Sequence, residues 1–515
     1  MPELLPADLN SPQWLNAAAE LLDRRVRRDG NRRCIVAPSG ETWSYAQLLD
    51  AANRIAAVLV EDMGLTPGNR VLLRAPNTPM LAACWFAVLK AGGIAVTTMP
   101  LYRSAELGVM LQKARISHAL CDARLRDELD RASAGTPQID VLHFHDDGSA
   151  PRPLELRMAS KSGHFENVKT AAEDVALIAF TSGTTGTPKA AMHYHRDIMA
   201  ICDTYCARVL QPREDDLFCG SPPLGFTFGL GGLLVFPLYA GAATLLLEKA
   251  GPAELLAAVA EFGVTTIFTA PLAYRAMAAN CANFDFKSLR ACVSAGETLP
   301  KPIWEDWHAK TGLKILDGIG STEMLHIFIG SPEADVRAGS TGRAVPGYAA
   351  EIHDDNGRRV EPGVVGRLAV KGPTGCKYLD DPRQTSYVQN GWNYPGDAYR
   401  MDEDGYCWYV ARTDDMIVSA GYNISGPEVE QALIAHAEVR EVAVVGKRDP
   451  QRATNYVKAF VVLADGCAAS AEKGEELREF CKAQIAPFKA PREVEFVAAL
   501  PRTETGKLQR YKLRD

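Results

Sequence analysis

The sequence predicts an α/β protein. It reads as a large N-terminal domain of parallel-sheet βα layers, a β-barrel-like subdomain within it, and a small α+β C-terminal domain. Three observations carry that expectation. Apolar strand-like runs alternate with amphipathic helical stretches as far as about residue 340. Between about 340 and 410 helical spacing gives way to short runs with closely spaced turns, and beyond 412 helices return on a smaller scale.

The elements follow in chain order. From Ala46 to Met63 apolar residues recur at Leu48, Leu49, Ala52, Ile55, Ala56, Leu59 and Val60, and the pattern stops at Gly64, as a helix with a glycine C-cap does. Val71-Leu-Leu, Ile94-Ala-Val-Thr-Thr, Ala119-Leu-Cys, Thr244-Leu-Leu-Leu, Thr266-Ile-Phe and Ala291-Cys-Val-Ser read as buried strands, with helices expected over 80–91, 253–262 and 300–311. That alternation implies parallel sheets covered by helices on both faces. Asp355-Asn-Gly357, Glu361-Pro-Gly363 and Glu403-Asp-Gly405 mark the turns of the β-rich part. The last part reads as helix 427–437, strands 441–446 and 458–464, helix 473–485 and strand 493–497. The expected boundaries are 1–411 for the large domain, 412–416 for a hinge and 417–515 for the small domain.

Composition narrows the classes. The chain has 515 residues, 47% hydrophobic and 23% charged, with a net charge of −7, which argues against a general affinity for nucleic acid or anionic membrane. The run Arg24-Arg25-Val26-Arg27-Arg28 is flanked by Asp23 and Asp29 and reads as a solvated helix face. Twelve cysteines are scattered without a Cys-x-x-Cys pair; Cys202 and Cys206 read as small buried residues of one helix face. The N-terminus lacks the pattern of a signal peptide, and a reducing cytoplasm is expected. Leu217 to Leu247 contains no charged residue, but three prolines and six glycines break it, so it reads as core pieces and not as a membrane span.

The segment Phe180-Thr-Ser-Gly-Thr-Thr-Gly-Thr-Pro-Lys189 follows an apolar run and combines glycines, hydroxyls and a lysine. Backbone N–H groups near Gly183 and Gly186 can converge on phosphate oxygens, with Ser182, Thr184, Thr185 and Thr187 as hydroxyl donors and Lys189 as a point charge. It is not a Walker A loop, because two residues separate the glycines and Ala190 follows the lysine. A Gly/Thr-rich surface loop is the rival reading of this segment by itself.

Thr181 to Lys189 resembles the signature segment of the acyl-adenylate-forming superfamily, and further motifs of that family follow in its order. The resemblance runs from about Trp43-Ser-Tyr45 to Lys507. In Ser294-Ala-Gly-Glu297 and Asp317-Gly-Ile-Gly-Ser-Thr-Glu323 it implies adenine contacts for Asp317, Gly318 and the Ala295, Gly296 and Glu297 backbone, α-phosphate contact for Thr322, and a Mg²⁺ ligand in Glu323. A carboxylate beside a triphosphate makes physical sense when it holds a cation. In Tyr394-Pro-Gly-Asp397 and Arg412-Thr-Asp414 it implies ribose contact by Asp397 with help from Arg412, and a hinge at Asp414. Lys507, in Leu500-Pro-Arg-Thr-Glu-Thr-Gly-Lys507, matches the adenylation lysine, where an ammonium stabilises charge moving between carboxylate and α-phosphate. Gly421, in Ser419-Ala-Gly421, matches the glycine lining the pantetheine tunnel.

The resemblance implies two half-reactions with ATP, Mg²⁺ and coenzyme A: adenylation of a carboxylic acid, then rotation of the C-terminal domain and thioester formation. Ser221-Pro-Pro-Leu-Gly-Phe-Thr-Phe-Gly229 and Met324-Leu-His-Ile-Phe328 resemble the benzoate-CoA and 2-aminobenzoate-CoA ligase branch. Phe226, Thr227, Phe228, Gly320 and His326 are its implied acyl pocket, and 2-aminobenzoate is the expected acid. That branch typically has a small apolar residue and a tyrosine where this chain has Thr227 and Phe228. The alternatives are another aryl or medium-chain acyl-CoA ligase and a non-catalytic nucleotide sensor. A peptide-synthetase adenylation domain would carry an aspartate near Phe226. The expected partners are small molecules, with no nucleic acid and no membrane span, in a monomer or homodimer.

Overall fold

Strands that read as continuous apolar runs are buried on both faces. In the computed structural model Leu217–Gly220, Thr266–Thr269 and Ala291–Ser294 are buried at every position, the condition for the middle of a helix-covered parallel sheet. They lie in a nine-stranded sheet ordered Arg343–Ala344, Ile327–Gly330, Ile315–Gly320, Ala291–Ser294, Thr266–Thr269, Leu217–Gly220, Ala243–Leu245, Arg33–Val36, Thr42–Ser44. The six strands from Ile315–Gly320 to Arg33–Val36 run parallel; the edge strands are antiparallel. A six-stranded sheet has the order Asp140–Phe144, His118–Asp122, Arg70–Arg74, Ile94–Thr98, Val175–Thr181, Lys189–Tyr194, parallel except for the last strand. The structure describes residues 11–134, 139–145, 153–181, 188–413, 415–419, 422–449, 454–485, 487–502 and 508–514.

Helix ends follow local chemistry. Tyr45–Ala57 starts at a Ser44/Gln47 capping box. It continues through Val58–Asp62 with wider turns (Met63 N to Val58 O, 3.1 Å) before Gly64 at φ +67°. Pro79–Lys90 is capped by the Thr78 hydroxyl, while Pro252–Phe262 and Lys301–Thr311 end at left-handed Gly263 and Gly312. The uncharged stretch resolves into strand Leu217–Gly220, helical segments between 227 and 240, and strand Ala243–Leu245. Among the described residues no helix is long and apolar enough to cross a membrane.

The β-rich part is an antiparallel sheet of Ala349–His353, Val365–Lys371, Asp397–Met401 and Cys407–Arg412, with two short strands, Val388–Gln389 and Trp392–Asn393. The C-terminal part is α+β. Val439–Asp449 and Thr454–Leu463 pair directly as antiparallel neighbours, and Glu493–Phe496 joins parallel to the second. Helices Gly426–Ile434 and Ala471–Gln484 accompany this sheet. The fold is α/β, with parallel-sheet layers and a separate C-terminal domain.

Arg24, Arg27 and Arg28 of the arginine run are exposed, as its spacing suggests, and Arg25 alone is tucked in. Arg25 donates to the Tyr239 carbonyl, and Arg25, Arg28 and Arg32 lie 3.3–3.8 Å from the Glu214 carboxylate. Gly241, at φ +78°, leaves room for Arg25, whose Nη1 would be 2.9 Å from a Cβ there.

One ion pair ties the nine-stranded sheet together. Asp216, 3% exposed, accepts from Arg290 Nε (2.9 Å), Thr265 Oγ1 (2.8 Å) and Arg213 N (2.6 Å). Burial alone would raise its pKa, but these donors outweigh burial and hold it below the usual value. A depressed carboxylate adds stability that is present above its unfolded pKa, near 3.9, and lost as pH falls through the folded value. Arg290→Met is therefore expected to cost about 3 kcal/mol at pH 7, the low end for a broken buried pair because Arg290 itself is partly exposed. Urea melts at pH 7 and pH 3.5 check this: the deficit shrinks at the lower pH, where Asp216 can be protonated.

Candidate active site

The signature segment is held between two strands. Val175–Thr181 and Lys189–Tyr194 pair antiparallel with Thr181 opposite Lys189. Ser182, Gly183, Thr184, Thr185 and Gly186 lie outside the described residues, as do Asp414, Gly421 and Lys507. Gly421 falls between strands Ile417–Ser419 and Tyr422–Ile424, which pair with Ser419 opposite Tyr422. Lys507 falls between Arg502 and Leu508, which form an isolated antiparallel bridge.

Lys189 Nζ donates to the Tyr378 hydroxyl at 3.2 Å and stands 4.0 Å from Glu323 Oε1. Tyr378 in turn donates to Glu323 Oε1 at 2.5 Å. Glu323 is 7% exposed, in the short helical turn Thr322–Met324 that follows strand Ile315–Gly320. The Ser321 hydroxyl caps this turn by accepting from Met324 N at 3.2 Å. The Thr322 carbonyl accepts from His193 Nε2 at 2.8 Å, so that nitrogen carries the proton. Leu325 next in the chain has φ +70°, a left-handed geometry that costs a non-glycine residue about 1–3 kcal/mol.

The motifs expected to contact the nucleotide lie on neighbouring parallel strands, with Ser294 opposite Asp317. Ala295 follows strand Ala291–Ser294 and is buried; Gly296 has φ +93°. Glu297 accepts from Arg502 Nη1 at 3.0 Å, and Arg502 Nη2 also reaches Glu441 Oε2 at 3.0 Å. This places the residue five positions before Lys507 beside the Glu297 motif. Asp317 has one buried carboxylate oxygen without a hydrogen bond, and burial pushes its pKa well up. Gly318 and Gly320 pair across to Gly330 and Ile327. A Cβ on Gly320 would lie 2.7 Å from the His326 carbonyl, so only glycine allows this approach.

Asp397 and Arg412 are register partners in neighbouring antiparallel strands, which explains their sequence spacing. Arg412 Nη1 donates to Asp397 Oδ2 at 3.1 Å and to the Pro395 carbonyl at 2.9 Å.

The residues expected to line an acyl pocket lie at an aromatic box. Phe226 precedes the short helix Thr227–Leu230 and is partly buried; Thr227 and Phe228 are buried. His326 is 2% exposed, with ring centroids of Phe236, Tyr205 and Phe228 at 4.5, 5.5 and 5.8 Å. Neither of its ring nitrogens has a hydrogen-bond partner among the described residues. Burial lowers its pKa to about 3, only partly offset by the Phe228 backbone. The Thr227 hydroxyl makes no hydrogen bond among the described residues.

Sequence reasoning missed Tyr378, His193, Arg502 and Tyr387, whose hydroxyl lies 3.1 Å from Ser321 Oγ. Tyr378 and Glu323 are 55 residues apart, and no spacing signal links them.

Motif order and geometry together define an adenylate-forming enzyme. The chain belongs to the AMP-binding enzyme family, whose description matches residues 22–377, with its C-terminal domain matching 428–507. It is 34% identical over 515 residues to benzoate–CoA ligase of Thauera aromatica, covering 99% of this chain and 97% of that one. Among solved structures, the anthranilate CoA ligase AuaEII in complex with anthranoyl-AMP superimposes with a TM-score of 0.93 at 32% identity, covering 98% of this chain and 97% of that one. A benzoate CoA ligase from Burkholderia xenovorans LB400 gives 0.89 at 32% identity, covering 97% and 100%. The protein is an AMP-forming acid–thiol ligase that takes ATP, coenzyme A and a carboxylic acid as substrates.

Two outcomes are expected from this geometry. Gly396 has φ +87°, and a Cβ there would lie 2.7 Å from Arg412 Nη2. Gly396→Ala should displace Arg412 and raise KM for ATP about tenfold, with a strain of about 1–3 kcal/mol in thermal melts. His326 is neutral in the folded state and protonates below about 6.5 when unfolded. Its contribution is therefore intact above pH 6.5 and is lost below it at about 1.4 kcal/mol per pH unit, down towards pH 3. Comparing stability from pH 7 to 4 in the wild type and His326→Phe tests this, because the substitution should remove that part of the slope.

Proposed function

We propose that this enzyme is an aryl-CoA ligase whose acid is 2-aminobenzoate, activated through an acyl-AMP to its CoA thioester. The observation that carries this reading is the box around His326, a neutral imidazole among aromatic rings one turn from Glu323. Ring-on-ring contacts to an aryl acid add about 0.5–1.5 kcal/mol beyond burial. His326, with unpartnered nitrogens, could hydrogen-bond the carboxylate or the ortho substituent, and the Thr227 hydroxyl could accept from an ortho-amine. The similarity to an anthranilate CoA ligase supports the same reading. Benzoate is the second reading, favoured by the 34% identical benzoate–CoA ligase.

The proposed chemistry uses the motifs in turn. Thr181, the 182–186 segment and Lys189 hold the phosphates, Thr322 the α-phosphate, Ala295, Gly296, Glu297, Asp317 and Gly318 the adenine, and Asp397 with Arg412 the ribose. The single carboxylate of Glu323, close to Lys189, suits Mg²⁺, which takes one or two protein carboxylates beside substrate phosphates. When bound, the ion neutralises developing phosphate charge. The acid's carboxylate oxygen attacks the α-phosphorus and pyrophosphate leaves, with Lys507 stabilising the shifting charge. The 417–515 domain then turns about the 412–416 hinge at Asp414, withdrawing Lys507 and bringing Gly421 to the thiol's path. The CoA thiol attacks the acyl carbon and AMP departs.

Three measurements test this. kcat/KM for 2-aminobenzoate is expected to exceed that for benzoate roughly ten- to a hundredfold, and Thr227→Ala should narrow the gap. Benzoate used equally well refutes the ortho-amine reading, and activity confined to fatty acids refutes the aryl one. Lys507→Ala should slow adenylation by about 10²–10³ while sparing CoA attack on supplied acyl-AMP. Gly421→Leu should give the converse, retained pyrophosphate exchange with lost thioester formation.

A further inference from the structure

We propose that Tyr378 is a positioning residue for the nucleotide half-reaction, its hydroxyl bonded to both Lys189 and Glu323 and holding the two at the outer edge of ion-pair distance rather than in direct hydrogen-bonded contact. A phenol offers one proton and accepts others, an ammonium only donates and a carboxylate only accepts. The direction of both bonds is therefore fixed: Lys189 Nζ donates to Tyr378 Oη at 3.2 Å, and Tyr378 donates to Glu323 Oε1 at 2.5 Å. The ammonium and carboxylate are kept 4.0 Å apart. Glu323 Oε2 makes no hydrogen bond among the described residues. Without the hydroxyl, Lys189 could close on Glu323 as a direct pair in a site nearly shut off from water, where such pairs are strong, and both groups would be occupied.

Tyr378 is itself held. Its N–H donates to Gln384 Oε1 at 2.7 Å, its backbone bridges to Ala191, and its ring meets Tyr387 edge-on at 5.9 Å. Residues 374–387 grip the motif at three points: Thr374 Oγ1 on the Met324 carbonyl at 2.8 Å, Tyr378 on Glu323, and Tyr387 on Ser321. Groups that orient a metal-binding side chain typically carry ten- to a hundredfold in metal affinity.

This inference rests on Glu323 as the magnesium ligand, and the test separates the two. Thermal stabilisation of the full-length protein is measured with AMP alone, with ATP alone, and with ATP over a Mg²⁺ titration, for wild type, Tyr378→Phe and Glu323→Gln. Tyr378→Phe should keep the AMP-induced shift and raise the half-maximal Mg²⁺ concentration about ten- to a hundredfold, with KM for MgATP rising more than kcat falls. Glu323→Gln should lose the Mg²⁺-dependent increment. An unchanged Mg²⁺ midpoint in Tyr378→Phe beside a lost increment in Glu323→Gln overturns the role of Tyr378 alone. An increment retained by Glu323→Gln overturns the ligand assignment and this inference with it. A Tyr378→Phe protein that fails to fold, or loses the AMP shift as well, makes Tyr378 a fold residue and overturns the proposal.

Discussion

Glu323 is a carboxylate almost closed off from water, and a buried carboxylate must be partnered or it destabilises the fold by several kcal/mol. Its neighbours come from three separate sheets. The turn bearing it follows a strand of the nine-stranded sheet, Lys189 begins the antiparallel edge strand of the six-stranded sheet, and Tyr378 follows a strand of the β-rich part. The cluster of Glu323, Lys189 and Tyr378 is thus the place where three sheets meet, and the packing of each is needed to bring these groups within hydrogen-bonding distance.

The surroundings sort the ionisable groups by burial and partner. Asp216 and Glu323 have donors; Asp317 has a buried oxygen without one, and its pKa rises accordingly. His326 meets rings instead of acceptors and stays neutral. The result is a charged cluster at Glu323 and Lys189 and an uncharged aromatic box around His326. A site that joins a hydrophilic triphosphate to an apolar acid requires that division.

Much of this was legible in the sequence where the information is local. Strand and helix rhythm, caps and the glycine-rich segment each depend on neighbours within a few residues. Asp397 and Arg412 were legible as a pair because a hairpin register sets their spacing. Tyr378, His193 and Arg502 were not, because their partners are distant in the chain and tyrosine, histidine and arginine have many commoner uses. Arg25 was read as solvated because a charge run says nothing of a carbonyl like that of Tyr239 waiting 214 residues later. The two consecutive C-terminal strands are legible as apolar runs, while their direct antiparallel pairing is a choice that apolar runs alone do not encode.

The segment proposed to hold phosphate joins two antiparallel strands, with Thr181 facing Lys189 across them. A strand-to-helix connection would place the aligned peptide dipoles of a helix behind the anion. On the assignment proposed above, attraction would depend more on point charges, those of Lys189 and of a cation at Glu323. Charges on an open surface are screened over about 10 Å at 0.1 M salt, but Glu323 is almost closed off from water, and charges so placed are screened much less. On the proposed assignment, the hold on a triphosphate would therefore resist changes in ionic strength better than a phosphate site on an open surface.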